Sequence, residues 1–138
     1  MDDKELTVRR WVTKAEHDLL TARTMLGTET PPADVVCFHC QQCAEKTLKA
    51  FPVLRDQDFP KTHDLKELLV LCERHDAGFA TLRDNAAGLT DYAVQPRYAD
   101  DWRDIPVDEA SKALALARHA MEFVLPRLRL FSEGGSPG

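Results

Sequence analysis

The sequence predicts an all-α fold, an up-and-down bundle of four to five helices, from three observations. Apolar residues recur every three or four positions over most of the 138 residues, which is the spacing of one helix face. Proline and glycine separate these periodic segments, as expected of residues that end helices. No run alternates apolar and polar residues between hairpin turns, so no strand is predicted.

Two long helices account for the first part of the chain. The first is predicted over residues 4–26, and Gly27 ends it. The second is predicted over residues 33–51, and Pro52 ends it because proline cannot donate the next helical hydrogen bond. The apolar stripe of the first helix consists of Val8, Trp11, Val12, Ala15, Leu19, Ala22 and Leu26.

Two shorter helices are predicted in the middle of the chain. The third begins after Asp64, which can cap the first turn, while Glu67 can reach back to complete a capping box. The fourth is predicted over residues 78–93, with Gly88 as a weak point and Pro96 beyond its end. The core residues predicted for these two helices are Leu65, Leu68, Leu69, Cys72, Phe79, Leu82, Ala86 and Leu89.

The last helix is predicted from about Pro106 to Leu130, with acidic residues in its first turn. Leu116, Phe123 and Leu130 recur every seven residues on a line separate from its main core stripe. A second apolar line must also be buried, either by deeper packing in the bundle or by a homodimer interface. The predicted organisation is one helical domain over residues 1–131 and a disordered tail over residues 132–138.

The stretch VCFHCQQCAEKTLKAF, residues 36–51, holds three cysteines and could be a metal site or one buried helix face. On a helix the three cysteines span an arc of about 120° that also collects apolar residues. No turn former lies between them, and Cys72 is the only other thiol, so four ligands for a structural zinc site are not visible. The stretch therefore predicts a helix that uses cysteine as a small core residue, with no metal site and no cofactor.

Composition limits the possible functions. The net charge of −5 argues against a protein that coats nucleic acid through bulk positive charge, although a local basic site stays possible. No apolar run is long enough for a membrane span, and the first residues do not resemble a signal peptide. The four cysteines lack the density of a disulfide scaffold, which fits a reducing compartment. These features together predict a cytoplasmic protein.

Three groups of polar residues are candidates for a site. His39, Gln42, Lys46 and Lys49 form a polar line on the second helix, for which a solvated face is the favoured interpretation. Lys61 and His63 precede the third helix, where free backbone amides favour an anion such as phosphate. In residues 92–102, Arg97 can bind phosphate and Tyr92, Tyr98 and Trp102 can stack on a base, although core packing and salt bridges are the slightly favoured explanation.

Three motifs give a resemblance to a known family. The segments FHCQQCAEKTLK (38–49), KTHDL (61–65) and YAVQPRY (92–98) occur in this order within a helical chain. In this respect the sequence resembles the HEPN domain family from about Val8 to Leu130. Many HEPN proteins have alanine where this chain has Cys40 and Cys43, which agrees with a packing role for these thiols.

The resemblance implies a compact bundle that is commonly dimeric and often paired with a minimal nucleotidyltransferase as a toxin–antitoxin system. Some HEPN branches are metal-independent ribonucleases that use an Arg and a His with four to six residues between them. Here Arg97 has no such partner, because the next histidine is His119. Arg10 and His17 meet the spacing on the first helix, which is the wrong helix for the family's site, and we interpret the match as coincidence.

Three functions follow as hypotheses. The first is a nucleotide- or RNA-binding HEPN subunit of a nucleotidyltransferase pair, which binds through Arg97, Tyr98, Lys61 and His63, with His39 and Lys46 as further contacts. The second is a metal-independent endoribonuclease toxin in which His63 and Arg97 are catalytic. The third is a homodimer without a ligand. The missing Arg-to-His spacing places binding ahead of catalysis.

Overall fold

The structure is a computed structural model that describes residues 2–93 and 103–129; residues 1, 94–102 and 130–138 lie outside the described part. As predicted, it is an all-helical bundle, and the described residues contain no strand. The α-helices are α1 (Asp3–Leu26), α2 (Ala33–Leu54), α3 (Leu65–His75), α4 (Arg83–Leu89) and α5 (Val107–Leu128). Two 3₁₀ helices, Ala77–Leu82 and Thr90–Ala93, flank α4. No helix in the described part is long and apolar enough to cross a membrane.

Helix α2 is the central element, and it packs against α1, α3 and α5. Its three cysteines, Cys37, Cys40 and Cys43, are completely buried, as predicted for a core stripe. Burial raises the pKa of Cys37 to about 11 and that of Cys40 and Cys43 to about 12, with nearby negative charge adding to the effect. The thiols are therefore protonated core groups at neutral pH.

The prediction that α2 ends at Pro52 is wrong, because the helix continues to Leu54 with Pro52 in its last turn. Proline has no N–H to donate to the carbonyl four residues earlier, which here belongs to Leu48. The thiol of Cys72 on α3 donates to the Leu48 oxygen instead, with a sulfur–oxygen distance of 3.5 Å. This contact between helices gives the buried Leu48 carbonyl a donor in place of the missing proline N–H.

The predicted fourth helix is correct in position but consists of three pieces, 3₁₀ then α then 3₁₀. Phe79, Leu82, Ala86 and Leu89 are buried as predicted. Gly88 allows a close approach to α5, since a Cβ atom at this position would lie 2.8 Å from Leu116 Cδ1. The weak point predicted at Gly88 is thus a site of helix packing.

Helix α5 begins and ends within two residues of its predicted bounds. Leu116 and Phe123 are partly buried against the core of their own chain, and the Phe123 ring lies 5.2 Å from that of Phe79. These contacts agree with the deeper-packing alternative at both positions. Leu130 and the predicted tail 132–138 lie outside the described residues.

Candidate functional site

The clearest candidate site is a histidine held by a buried carboxylate. Glu45 lies on α2 with 4% of its side chain exposed, and its Oε1 accepts a hydrogen bond from His63 Nδ1 at 2.9 Å. His63 lies just before α3, and 68% of its side chain is exposed. An ionised carboxylate can only accept hydrogen bonds, so Nδ1 carries the proton and Nε2 is directed away from Glu45. Among the described residues Nε2 has no hydrogen-bonding partner.

The backbone of His63 is also held by α2. Gln41 Nε2 donates to the His63 carbonyl at 3.0 Å and to Glu45 Oε1 at 3.2 Å. Gln42 Nε2 in turn donates to Gln41 Oε1 at 2.7 Å, which orients the Gln41 amide. Ring and main chain are therefore fixed by side chains that α2 places one turn apart.

A buried lysine completes the Glu45 cluster. Lys49 Nζ lies 3.0 Å from Glu45 Oε2 and 5.4 Å from the ring centroids of both Trp11 and Phe59. Burial by itself raises the pKa of Glu45, but hydrogen bonds from Lys49, His63 and Gln41 outweigh it and lower the pKa below 4.5. Glu45 is therefore ionised at neutral pH.

A second carboxylate cluster lies on the side of α2 that faces α1. Asp18 accepts from His39 Nδ1 at 2.8 Å and from Lys46 Nζ at 2.5 Å. His39 and Lys46 retain 26% and 22% of their side-chain exposure. Each of the two carboxylates, Asp18 and Glu45, thus binds one histidine and one lysine.

The interpretation of the polar line on α2 as a solvated face is wrong. Lys49 is buried, and His39 and Lys46 face Asp18 on α1 rather than open solvent. Sequence reasoning missed both carboxylates that bind these residues. A signal for Asp18 was present, because it lies three residues after Ala15 and four before Ala22 on the stripe that α1 buries.

The start of α3 differs from the anion site that was expected there. The amide of Leu65 donates to Thr90 Oγ1 at 3.0 Å, and the amide of Lys66 donates to Asp64 Oδ1 at 2.9 Å. These amides already have acceptors, and the Asp64 carboxylate opposes a further anion. The cap at Asp64 is confirmed, but the predicted return contact from Glu67 is replaced by Thr62 Oγ1, which accepts from the Asp64 amide. Lys61 is exposed.

Arg97 and Tyr98 lie outside the described residues, but the residues that flank their segment are fixed. Tyr92 Oη donates to Glu109 Oε2 on α5, and Arg103 Nη2 donates to the same oxygen at 2.8 Å. The hydrogen bonds from Arg103 and Tyr92 lower the pKa of Glu109 to about 2. Burial and the contact with Glu109 raise the pKa of Tyr92. One carboxylate thus holds both flanks of the segment 94–102.

The described part of the chain contains no group of three or more His, Cys, Asp or Glu side chains arranged to hold a metal ion. The two clusters contain one carboxylate each, together with lysine and amide groups that donate hydrogen bonds. The lysine and amide donors are bound within these clusters, and the imidazole of His63 is the most exposed of their polar groups. A neutral His63 can accept a proton at Nε2, and a protonated one can donate it.

Comparison with known proteins relates this geometry to a family. The family model described as HEPN domain matches residues 8–128. The crystal structure of TT1696 from Thermus thermophilus is similar, with 31% identity, a TM-score of 0.73, and coverage of 87% of this chain and 97% of that one. The crystal structure of ST0689, an archaeal HEPN homologue, shares the fold at 23% identity and a TM-score of 0.70, with coverage of 88% and 97%. No curated protein matches the chain significantly.

Proposed function

Because the chain belongs to the HEPN domain family, we propose that it binds a nucleotide or an RNA segment at the surface that presents His63. The observation that carries this proposal is the exposed imidazole of His63, fixed by the buried Glu45. An outward imidazole nitrogen bonds phosphate or base edges, and the exposed Lys61 two residues earlier adds a positive charge. Lys46 and His39 extend the binding surface along α2.

Arg97 and Tyr98 are the further binding residues in this proposal, which supply a guanidinium for phosphate and a ring for a base. Their segment leaves the described chain at Ala93, after a 3₁₀ helix that begins at Thr90. Thr90 Oγ1 contacts Asp64, which is adjacent to His63 in the chain. The start of the segment is therefore close to the end of the loop that holds His63, which favours joint contact with one ligand.

The proposal includes partners and a biological setting. The protein acts in the cytoplasm as the HEPN subunit of a toxin–antitoxin pair with a minimal nucleotidyltransferase, and it forms a homodimer through α5. Leu116 and Phe123 are only partly buried within their own chain, so each retains surface that a second copy can cover. Sedimentation velocity of Leu116→Gln tests the dimer; an unchanged sedimentation coefficient in this variant and in Phe123→Glu would refute it.

The binding test uses a fluorescent single-stranded RNA and fluorescence anisotropy. His63→Ala, Lys61→Ala and Arg97→Ala should each weaken binding about tenfold, since a hydrogen bond to a charged group contributes roughly 1.5–3 kcal/mol. His75→Ala is the matched control, because His75 is also exposed but lies at the opposite end of α3 from His63. Equal affinity of His63→Ala and His75→Ala would contradict the proposal. A panel of nucleotides in a thermal-shift assay covers small ligands, and stabilisation of about 2.7 kcal/mol is expected at 100 times the dissociation constant.

A second candidate function is metal-independent RNA cleavage, favoured by the tautomer of His63. A carboxylate that fixes Nδ1–H leaves Nε2 available for proton transfer, as general acid–base catalysis requires. RNA should then be cut in EDTA, and His63→Ala and Arg97→Ala should abolish the cleavage. Glu45→Gln should reduce it through loss of the preferred tautomer. RNA that is bound but stays intact in EDTA would favour binding alone.

A further inference from the structure

A groove of about 300 Å³ lies along the outer face of α3, the side turned away from the core. Five residues line it and are called here the α3 face: Pro60, Glu67, Val70, Leu71 and Arg74. Single exposed apolar side chains are ordinary, but Val70, which is 51% exposed, shares this groove with two further apolar residues. The α3 face therefore has an apolar centre that the described residues leave partly uncovered.

Two opposite charges flank this centre. Glu67 and Arg74 are exposed, and neither has a hydrogen bond or an ion pair within the described part of the chain. Their spacing of seven residues places them almost on one line of the helix but about 10 Å apart along its axis, which is too far for them to bind each other. The adjacent Glu73 is already bound by Arg83 on α4, at 2.5 Å. Each end of the α3 face thus carries one charge without a partner among these residues.

This pattern is complementary to itself when two copies of α3 run antiparallel. The point midway between Glu67 and Arg74 falls between Val70 and Leu71. A twofold axis through that point brings Glu67 of each copy to Arg74 of the other copy. The same axis places Val70 of each copy beside Leu71 of the other. Both charges are then bound and the apolar centre is covered, in one contact that the two copies make in the same way.

We propose that the α3 face is a self-association surface, on which a second copy of this chain packs its own α3 in the antiparallel direction. The complementary charges specify the direction and the register of the pair. The contact is small, because α3 has 11 residues, so the association is weak and reversible. The face is separate from α5, and a chain that used both surfaces would form a tetramer. The proposal does not depend on ligand binding at His63.

Sedimentation equilibrium at low salt, with protein concentrations up to about 1 mM, measures this association, since a small interface gives weak binding. The measurement uses the Leu116→Gln background, so that contacts through α5 do not contribute. Arg74→Glu should weaken the association at least about tenfold, because the twofold axis creates two contacts between like charges. Lys14→Glu is the matched control, since it makes the same change of charge at an exposed position of α1. Equal association of these two variants would overturn the proposal. An unsubstituted α3 face that stays monomeric at the highest concentration would also overturn it and leave the face for a different protein.

A mixture of two variants tests the antiparallel register. Glu67→Arg alone should also weaken the association about tenfold, for the same reason as Arg74→Glu. In an equimolar mixture of the two, one copy carries two positive charges on its α3 face and the other carries two negative charges. The mixed pair therefore regains both contacts and should associate at least as tightly as the unsubstituted face. A mixture that associates no more tightly than its separate components would overturn the proposal.

Disulfide trapping tests the apolar centre. Val70→Cys places a thiol beside the twofold axis, where the same thiol of a second copy can approach it. Leu20→Cys is the matched control, because Leu20 is also 51% exposed but lies on α1. The four native cysteines are buried and add no exposed thiol. Under mild oxidation, Val70→Cys should form linked dimers several times faster than Leu20→Cys, and equal rates would overturn the proposal.

Discussion

Replacement of Glu45 by Gln should destabilise the fold by leaving a buried lysine without its counter-charge. Glu45 and Lys49 retain only 4% and 11% of their side-chain exposure, so solvent screens the pair weakly. Loss of one partner of a buried pair costs roughly 3–5 kcal/mol. Lys49 keeps its contacts with Trp11 and Phe59 in the variant, which places the expected loss at the lower end, about 3 kcal/mol.

Urea denaturation, monitored by circular dichroism, measures the free energy of unfolding. In a thermal scan, a loss of about 3 kcal/mol in a chain of this length corresponds to a fall in melting temperature of roughly 12 °C. The matched variant is Glu45→Gln combined with Lys49→Met, which removes both charges and should recover most of the lost stability. The reasoning is refuted if Glu45→Gln unfolds within about 1 kcal/mol of wild type, or if the double variant is as unstable as Glu45→Gln.

The same variant has an expected pH dependence. The folded state lowers the pKa of Glu45 below 4.5, so the ionised carboxylate is the form that stabilises the fold. Its contribution is complete above the unfolded pKa and is lost as the pH falls through the folded pKa. Wild type and Glu45→Gln should therefore differ most near pH 7 and converge in acid. A difference that stays constant from pH 7 to pH 3 would contradict this assignment.

Three further predictions follow from other contacts. The four buried thiols should react with a thiol reagent at pH 8 only after unfolding, because burial raises their pKa to about 11 or 12; fast reaction of the folded protein would contradict this. Cys72→Ala should cost about 1–2 kcal/mol of unfolding free energy in wild type but less in Pro52→Ala, where a restored N–H can donate to Leu48; equal costs in chemical denaturation would refute the thiol–carbonyl contact. Glu109→Gln should lower the pKa of Tyr92, which ultraviolet titration measures, since the contact with Glu109 helps to raise it.

Much of the fold was predictable because helical periodicity is a local property. The bounds of α1 and α5 and the start of α3 follow from apolar spacing and capping residues. The end of α2 was not predictable, because the donor that replaces the Pro52 N–H is a thiol of another helix, which a local pattern does not reveal. The division of the fourth helix was missed for a related reason. The periodicity over residues 78–93 predicts which side chains are buried, but it does not distinguish α-helical from 3₁₀ hydrogen bonding.

The candidate site was predictable only in part. His63 was identified from its position before α3, but no sequence pattern pointed to its partner Glu45 on α2. Sequence periodicity shows that residues share a helix face, but it does not show whether solvent or another helix covers that face. Asp18 on α1 and the loop with His63 cover the polar line of α2, and these are long-range contacts.

The carboxylate of Glu109 fixes the positions of Tyr92 and Arg103 whatever residues lie between them. Both anchor points are defined by side chains that bind one acceptor, so the distance between them does not depend on the intervening residues. A connection with fixed ends can change in length at small entropic cost, about 0.6 kcal/mol for each doubling. The contacts of Glu109 with Tyr92 and Arg103 therefore allow the sequence between these two residues to vary while both keep their positions against α5.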